Sequence, residues 1–295
     1  MPVAALAAPC AIVRVMDSSN HVTRRAFLAA TAAVPVALSA QSASSIPVGL
    51  ELYSVRDNLA KDLPGTLRAV AKMGYQVVEF YAPYFQWTPQ KALEVRAILD
   101  DSGLRCHSTH NGLNSFSAEG LPHAVELNHI LGTSYIVLAS PGKESSLDDF
   151  KKVADTLSHV QETLKPENLR AGYHNHDAEF RLLEGKRPIE VIAANTPQDL
   201  MLQFDVGTCV AAGSDPVAWI TSNPGRIRSL HLKDWSPEQN YKAIFGEGQA
   251  PWLKIFEAAE SVGGVEYYLI EQEENPSPLD AVAQCLANYR KLRAA

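Results

Sequence analysis

The sequence predicts an α/β protein built as a single (β/α)8 barrel, and three observations lead there. Short apolar runs of strand length alternate with amphipathic, helix-length stretches from residue 48 almost to the C-terminus. Eight such units fit into about 250 residues, the usual size of this barrel. No G-x-G-x-x-G follows the first apolar run, which sets aside the main competitor, a doubly wound open sheet.

In chain order the expected strands are VGLELYS (48–54), VVEFY (77–81), RCHSTHN (105–111), YIVLAS (135–140), RAGYHNH (170–176), LMLQFDVG (200–207), IRSLHLKDW (227–235) and YYLIEQEE (267–274). Helical spacing is clearest in 147–164, where Leu147, Phe150, Val153, Ala154, Leu157, Val160 and Leu164 share one face. Ser146 stands before that stretch as an N-cap, and Asp149 puts negative charge in its first turn. Leu279, Val282, Leu286, Tyr289 and Leu292 mark a second such face in 279–292. Gly74 and Gly103 fall where a helix end needs a left-handed residue before the next strand. There is no internal repeat beyond this alternation and no linker, so one domain is expected over 45–295.

The N-terminal 44 residues read differently. Arg24 and Arg25 precede Phe27 and Leu28, then an Ala- and Val-rich run ending in small residues near 39–44. This resembles a twin-arginine export signal, with Met1 or Met16 as the start, and it implies a periplasmic or secreted protein. The apolar run is shorter than the roughly 20 residues of a spanning helix. A net charge of −7 without a basic run argues against nucleic acid as a partner. Cys106, Cys209 and Cys285 are widely spaced, which fits small buried fillers rather than a disulfide framework or a C-x-x-C metal site.

In a barrel of this kind chemistry gathers at the carboxyl ends of the strands, and there this sequence turns polar. The fifth strand ends in His174 and His176, two apart and therefore expected on one face of a strand. The sixth ends in Asp205, the seventh in His231, Lys233 and Asp234, the eighth in Glu271 and Glu273. Burying such groups unpaired costs several kcal/mol each. A shared divalent cation accounts for them together, because imidazole and carboxylate donors form a mixed N/O site open to Mn, Co, Fe, Zn or Mg.

FDVG (204–207), HLKDW (231–235), GEG (246–248) and LIEQEE (269–274), with LELYSVRDNL (50–59), GYQVVEFY (74–81) and STHNG (108–112), resemble the xylose isomerase-like TIM barrel superfamily, specifically its sugar phosphate isomerase/epimerase group. The resemblance implies one divalent metal held by strands five to eight. Its last three ligands carry over to Asp205, His231 and Glu271. The first, a glutamate in the epimerases, falls at or near His174, which is taken as the fourth ligand. The implied activity is isomerisation or epimerisation of a free or keto-sugar through an enediolate. Elimination from a keto-sugar, keto-glycoside or inosose is the alternative, since Y-H-x-H is also similar to the inosose dehydratases. A non-catalytic sugar-binding protein is the alternative of another class. Glu271, His176 and Lys233 are the expected catalytic groups, with Glu79 and Glu179 as further candidate bases. His110, Glu79, Trp235 and Glu247 are the expected substrate contacts, and Trp87 and Trp252 are weighed as stacking platforms against rim packing. A homo-oligomer is expected by analogy.

Overall fold

The computed structural model describes residues 46–294; the segment expected to be an export signal, and its start site, lie outside them. Eight parallel strands close into a barrel in sequence order: β1 (Val48–Glu51), β2 (Val77–Phe80), β3 (Arg105–Gly112), β4 (Tyr135–Ser140), β5 (Arg170–His174), β6 (Met201–Asp205), β7 (Ser229–Leu232) and β8 (Tyr267–Ile270). β8 returns to pair with β1, with Leu50 opposite Ile270, so no strand edge is left open.

The helices form where the apolar spacing requires them. Leu147–Leu164 is one helix, and the Ser146 side chain accepts from the Asp149 N–H. The last helix runs Pro278–Arg293. Gly74 and Gly103 close their helices at φ 98° and 70°, a region that costs an L-residue strain and glycine nothing. Among the described residues no helix is long and apolar enough to cross a membrane. Cys106, Cys209 and Cys285 are buried and free.

What positions the site is the period of two along each strand. Val77, Tyr135, Val137, Met201, Tyr267 and Leu269 form a separate apolar cluster that plugs the barrel interior, as the packed layers of such barrels require. Two residues further along the strands the inward positions are polar: Glu79, His174, Gln203, His231 and Glu271, each buried. Strand-flanking residues such as Leu50, Leu52, Phe80, Leu230 and Ile270 join the larger core under the helices.

The observed strands end sooner than the sequence predicts at several places, and one change matters. β5 stops at His174, and His176 is instead the extended residue before a single helical turn, Asp177–Phe180. The two histidines therefore do not share a strand face. Glu179 causes the break: its carboxylate accepts from the His176 N–H at 3.1 Å and from the Tyr173 hydroxyl at 2.8 Å, which pulls the backbone out of the sheet.

Candidate metal centre and active site

Asp205 and His231 are paired in register at the ends of β6 and β7, Glu271 reaches His231 from just past the end of β8, and His174 completes the arc from β5. His174, Asp205 and Glu271 each bring a donor atom within 4.8 Å of the others, as do His110, His174 and His231. The His174 ring lies 4.5 Å from the rings of both His110 and His231.

The hydrogen-bond roles show what this arc is short of. His231 Nε2 lies 2.9 Å from Glu79 Oε1, and its Nδ1 lies 2.6 Å from Glu271 Oε2. A neutral imidazole has one N–H, so donating to Glu79 turns the Nδ1 lone pair toward Glu271 and its neighbours. Burial lowers the His231 pKa, but the two carboxylates outweigh it and lift it to about 10; without a cation the ring answers the carboxylates by holding a second proton. His174 Nδ1 and Asp205 Oδ2 are buried and have no hydrogen-bond partner. Burial, with the His110, His231 and His176 rings, drives His174 toward its neutral form, which is the form that ligates. Unsatisfied buried acceptors each cost about 1–3 kcal/mol, and two of them facing a carboxylate and an imidazole suit a divalent cation bound by two nitrogens and two carboxylates. Glu79 then serves as the outer partner that fixes the His231 tautomer.

The residues around the arc hold it in place. Asn175 accepts from the Asp205 N–H at 3.1 Å and donates to Thr208 Oγ1 at 2.9 Å. Asp205 Oδ1 accepts from the Thr208 N–H at 3.0 Å, which leaves only Oδ2 free. Lys233 donates to Glu271 Oε1 at 3.1 Å and Glu273 Oε1 at 2.6 Å and lies 3.5 Å from Asp205 Oδ2. Burial raises Glu271, but Lys233 and His231 overcome it and hold the carboxyl well below the usual range. Glu273, less enclosed, is pushed up to about 7 by burial and by Glu271.

A cavity of about 320 Å³ opens over the arc, with Glu51, Tyr53, Tyr81, His110, His176 and Glu271 in its wall. His176 is exposed there, its ring 5.0 Å from His174. His110 reaches the cavity from β3. Four expectations need correction. Glu79 is wholly buried beneath the rings, where His110, His231, Ser108 and Gln203 occupy its carboxylate, so it positions rings instead of touching a ligand. Glu179 is taken up by Tyr173 and the His176 backbone. Glu247 is exposed and accepts from Gln284 at 3.1 Å, pointing away because the glycines on either side serve Asp234. That buried carboxylate accepts from Gly246 N at 2.8 Å, Gly248 N at 3.1 Å and Trp252 Nε1 at 2.8 Å, and a Cβ on Gly248 would collide with it. HLKDW and GEG are thus two halves of one clasp. Trp252 is consumed by it, Trp235 donates its N–H to it at 2.9 Å, and neither lines the cavity. Trp87 packs edge-on against Phe80 at 5.1 Å.

Glu51, Tyr53 and Tyr81 are among the cavity residues absent from the sequence-based expectations. In VGLEL, Leu50 and Leu52 face the helices and Glu51 lies between them, so the period of two was the signal for an inward carboxylate.

Solved structures with this fold include a sugar phosphate isomerase/epimerase from Parabacteroides distasonis, 26% identical, with a TM-score of 0.71 over 89% of this chain and 99% of that one. A 3-keto-D-glucoside 4-epimerase from E. coli is 18% identical, with a TM-score of 0.64 over 83% and 99%. Among curated proteins, an inosose dehydratase from Lacticaseibacillus casei is 22% identical over 199 residues, 56% of this chain and 66% of the relative. The chain spans between about half and two thirds of the length of the curated relatives it matches. The sequence pattern of the xylose isomerase-like TIM barrel family matches residues 67–291, and the chain belongs to that family.

Proposed function

We propose that the protein is a metal-dependent enzyme acting on a free or keto-sugar, an isomerase or epimerase that removes a proton from the carbon beside a carbonyl. The observation that carries this reading is the pair of buried atoms without a hydrogen-bond partner, His174 Nδ1 and Asp205 Oδ2, the latter 3.5 Å from Lys233 Nζ, converging with Glu271 and His231 under an open cavity. A divalent cation held by His174, Asp205, His231 and Glu271 would supply positive charge to the oxyanion that develops as the proton leaves. Glu271, kept ionised by Lys233, takes that proton. β5 is three strands from β8 around the barrel, so His176 meets a bound sugar from another side and returns a proton or binds a hydroxyl there. Tyr53 and Tyr81, edge-to-face at 5.5 Å, offer aromatic surface to the sugar ring.

Elimination from a keto-sugar, keto-glycoside or inosose is the second reading. The inosose dehydratase relatives favour it, as does the histidine at position 174, which replaces one of the epimerases' two carboxylates. The twin-arginine segment supports action outside the cytoplasm, tested by fractionating cells that express the full chain. The chemistry is tested by incubating the metal-loaded protein with keto-sugars in D2O. Deuterium entering beside the carbonyl by NMR supports the reading, and metal and sugar bound with no exchange refutes it.

A further inference from the structure

We infer that the end of this cavity formed by β1 to β4 is a subsite for an uncharged ring attached to the reacting sugar. The substrate is then a glycoside, not a free sugar or a sugar phosphate. The inference rests on the proposed function and extends it from the reacting ring to its substituent.

It starts from how the two halves of the barrel mouth differ. The strands close in sequence order, so β1 to β4 face β5 to β8 across the mouth. The polar arc occupies the second half. On the first half the inward period of two runs from Val77 past Glu79 to Tyr81, and from Val137 to Ala139. Tyr81 and Ala139 line the cavity together with Tyr53, Ala82 and Gly112. Glu51 and Asn111 belong to the same half but are each 1% exposed. The surface a ligand meets there is carried mainly by the two tyrosines and the small residues.

Both rings are fixed by their surroundings. β1 gives way to a turn, Leu52–Val55, in which Leu52, Ser54 and Val55 are buried while Tyr53 is 39% exposed. The Tyr53 N–H donates to the Glu51 carboxylate, and its carbonyl accepts from Arg56 Nη1 at 3.0 Å. The Arg56 guanidinium lies 4.3 Å from the Tyr53 ring centroid, a cation–π contact that braces the ring. Tyr81 is the extended residue between β2 and the turn Ala82–Gln86. The two rings stand at 82° with centroids 5.5 Å apart, which makes a corner. A flat ring stacked on one of them meets the edge of the other, and both contacts are arrangements aromatic groups favour.

Charge decides against a phosphate at this end. Among the described residues lining the cavity there is no lysine or arginine, and the acidic ones are Glu51 and Glu271. Phosphate is held by Arg, Lys or free backbone N–H groups, and the Tyr53 N–H is already given to Glu51. Lys233 is spent on Glu271 and Glu273. Such a wall rejects an anion and accepts a neutral ring. Size agrees, since about 320 Å³ lies in the range that encloses ligands larger than one sugar ring.

The test follows loss of the hydrogen beside the carbonyl by NMR in D2O, which counts exchange and elimination alike. The metal-loaded enzyme is given methyl and benzyl 3-keto-β-D-glucopyranoside, free 3-keto-D-glucose and its 6-phosphate. Methanol and benzyl alcohol are similar leaving groups, so the two glycosides differ mainly in the added ring. The benzyl glycoside is expected to have a KM about tenfold or more below that of the methyl glycoside. Tyr53→Ala and Tyr81→Ala should each raise the benzyl KM more than the methyl KM and close most of that gap. Tyr53→Phe and Tyr81→Phe, which keep the rings, should preserve it. Equal KM values for the two glycosides in the wild type overturn the inference. So does a free sugar or a phosphate with a KM at or below that of the benzyl glycoside. Alanine variants that weaken both glycosides alike also overturn it, because the rings then stack on the reacting sugar itself. In each of these cases a wild type that still removes the hydrogen leaves the proposed function standing. One that removes it from no probe fails both.

Discussion

Replacing Lys233 with methionine removes the lysine cation that three carboxylates share, and the consequence can be worked from the geometry. Lys233 Nζ lies 2.6 Å from Glu273, 3.1 Å from Glu271 and 3.5 Å from Asp205, with the lysine side chain 5% exposed. At an effective dielectric of about 20, each contact is worth about 5 kcal/mol before desolvation and the repulsion among the carboxylates are charged against it. Removing one partner of a buried ion pair has a net cost of about 3–5 kcal/mol, a large part of the usual 5–15 kcal/mol of stability. The sign with pH follows from the shifts. In the wild type Glu271 is held below its ordinary value, so its contribution is present above about pH 4.3, the unfolded value, and is lost as pH falls through the folded one. Without Lys233, burial and mutual repulsion raise Glu271 and lift Glu273, already near 7 in the wild type, further; the penalty is then full at pH 8 and relieved as pH falls through the raised values. Urea unfolding of metal-free protein followed by tryptophan fluorescence should show a deficit of about 3–5 kcal/mol at pH 8, shrinking below about 2 kcal/mol at pH 5. A deficit under about 1 kcal/mol at pH 8, or one that does not change with pH, refutes the reasoning.

Other expectations concern the surroundings of the arc. Asp234→Ala strands the buried Trp252 indole N–H and the part-buried N–H groups of Gly246 and Gly248 and should cost about 3–4 kcal/mol, read by the urea midpoint; a loss below about 1 kcal/mol would mean the clasp does not hold the loop. The His231 imidazole in metal-free protein should titrate near pH 10 by NMR. Its stabilisation is complete below the unfolded value near 6.5 and is lost as pH rises through 10, and Glu79→Gln should lower that midpoint by removing one carboxylate. A wild-type midpoint near 6.5 would contradict a ring held between the Glu79 and Glu271 carboxylates. Glu247→Ala should leave turnover within about twofold, as exposed groups away from the cavity do; a large loss would return Glu247 to the site.

The barrel was legible because its signals are local and repeated: period-two apolar runs, helical stripes, and glycines where helices end. The arc was legible for a related reason, since polar residues at the ends of otherwise apolar strands need a common partner. Three things were missed, the first through a local cap spanning three residues and the other two through contacts between separate parts of the chain. His176 leaves the strand because Glu179 captures its N–H. Glu247 points outward because Gly246 and Gly248 turn inward to Asp234, residues far apart in the chain. Glu51 stayed hidden because its neighbours in the wall, His110 and Glu271, come from β3 and the end of β8, and only barrel closure brings the first and last strands together.

The measurement that bears most directly on the proposed metal centre is elemental analysis of the purified protein, wild type against His174→Ala and His176→Ala, after expression that allows metal loading. The expected result is one divalent ion per chain in the wild type and in His176→Ala, and its loss in His174→Ala. A wild type that carries no ion and takes up none when offered Mn or Co, or a His176→Ala variant that loses the ion while His174→Ala keeps it, would contradict the four-strand centre.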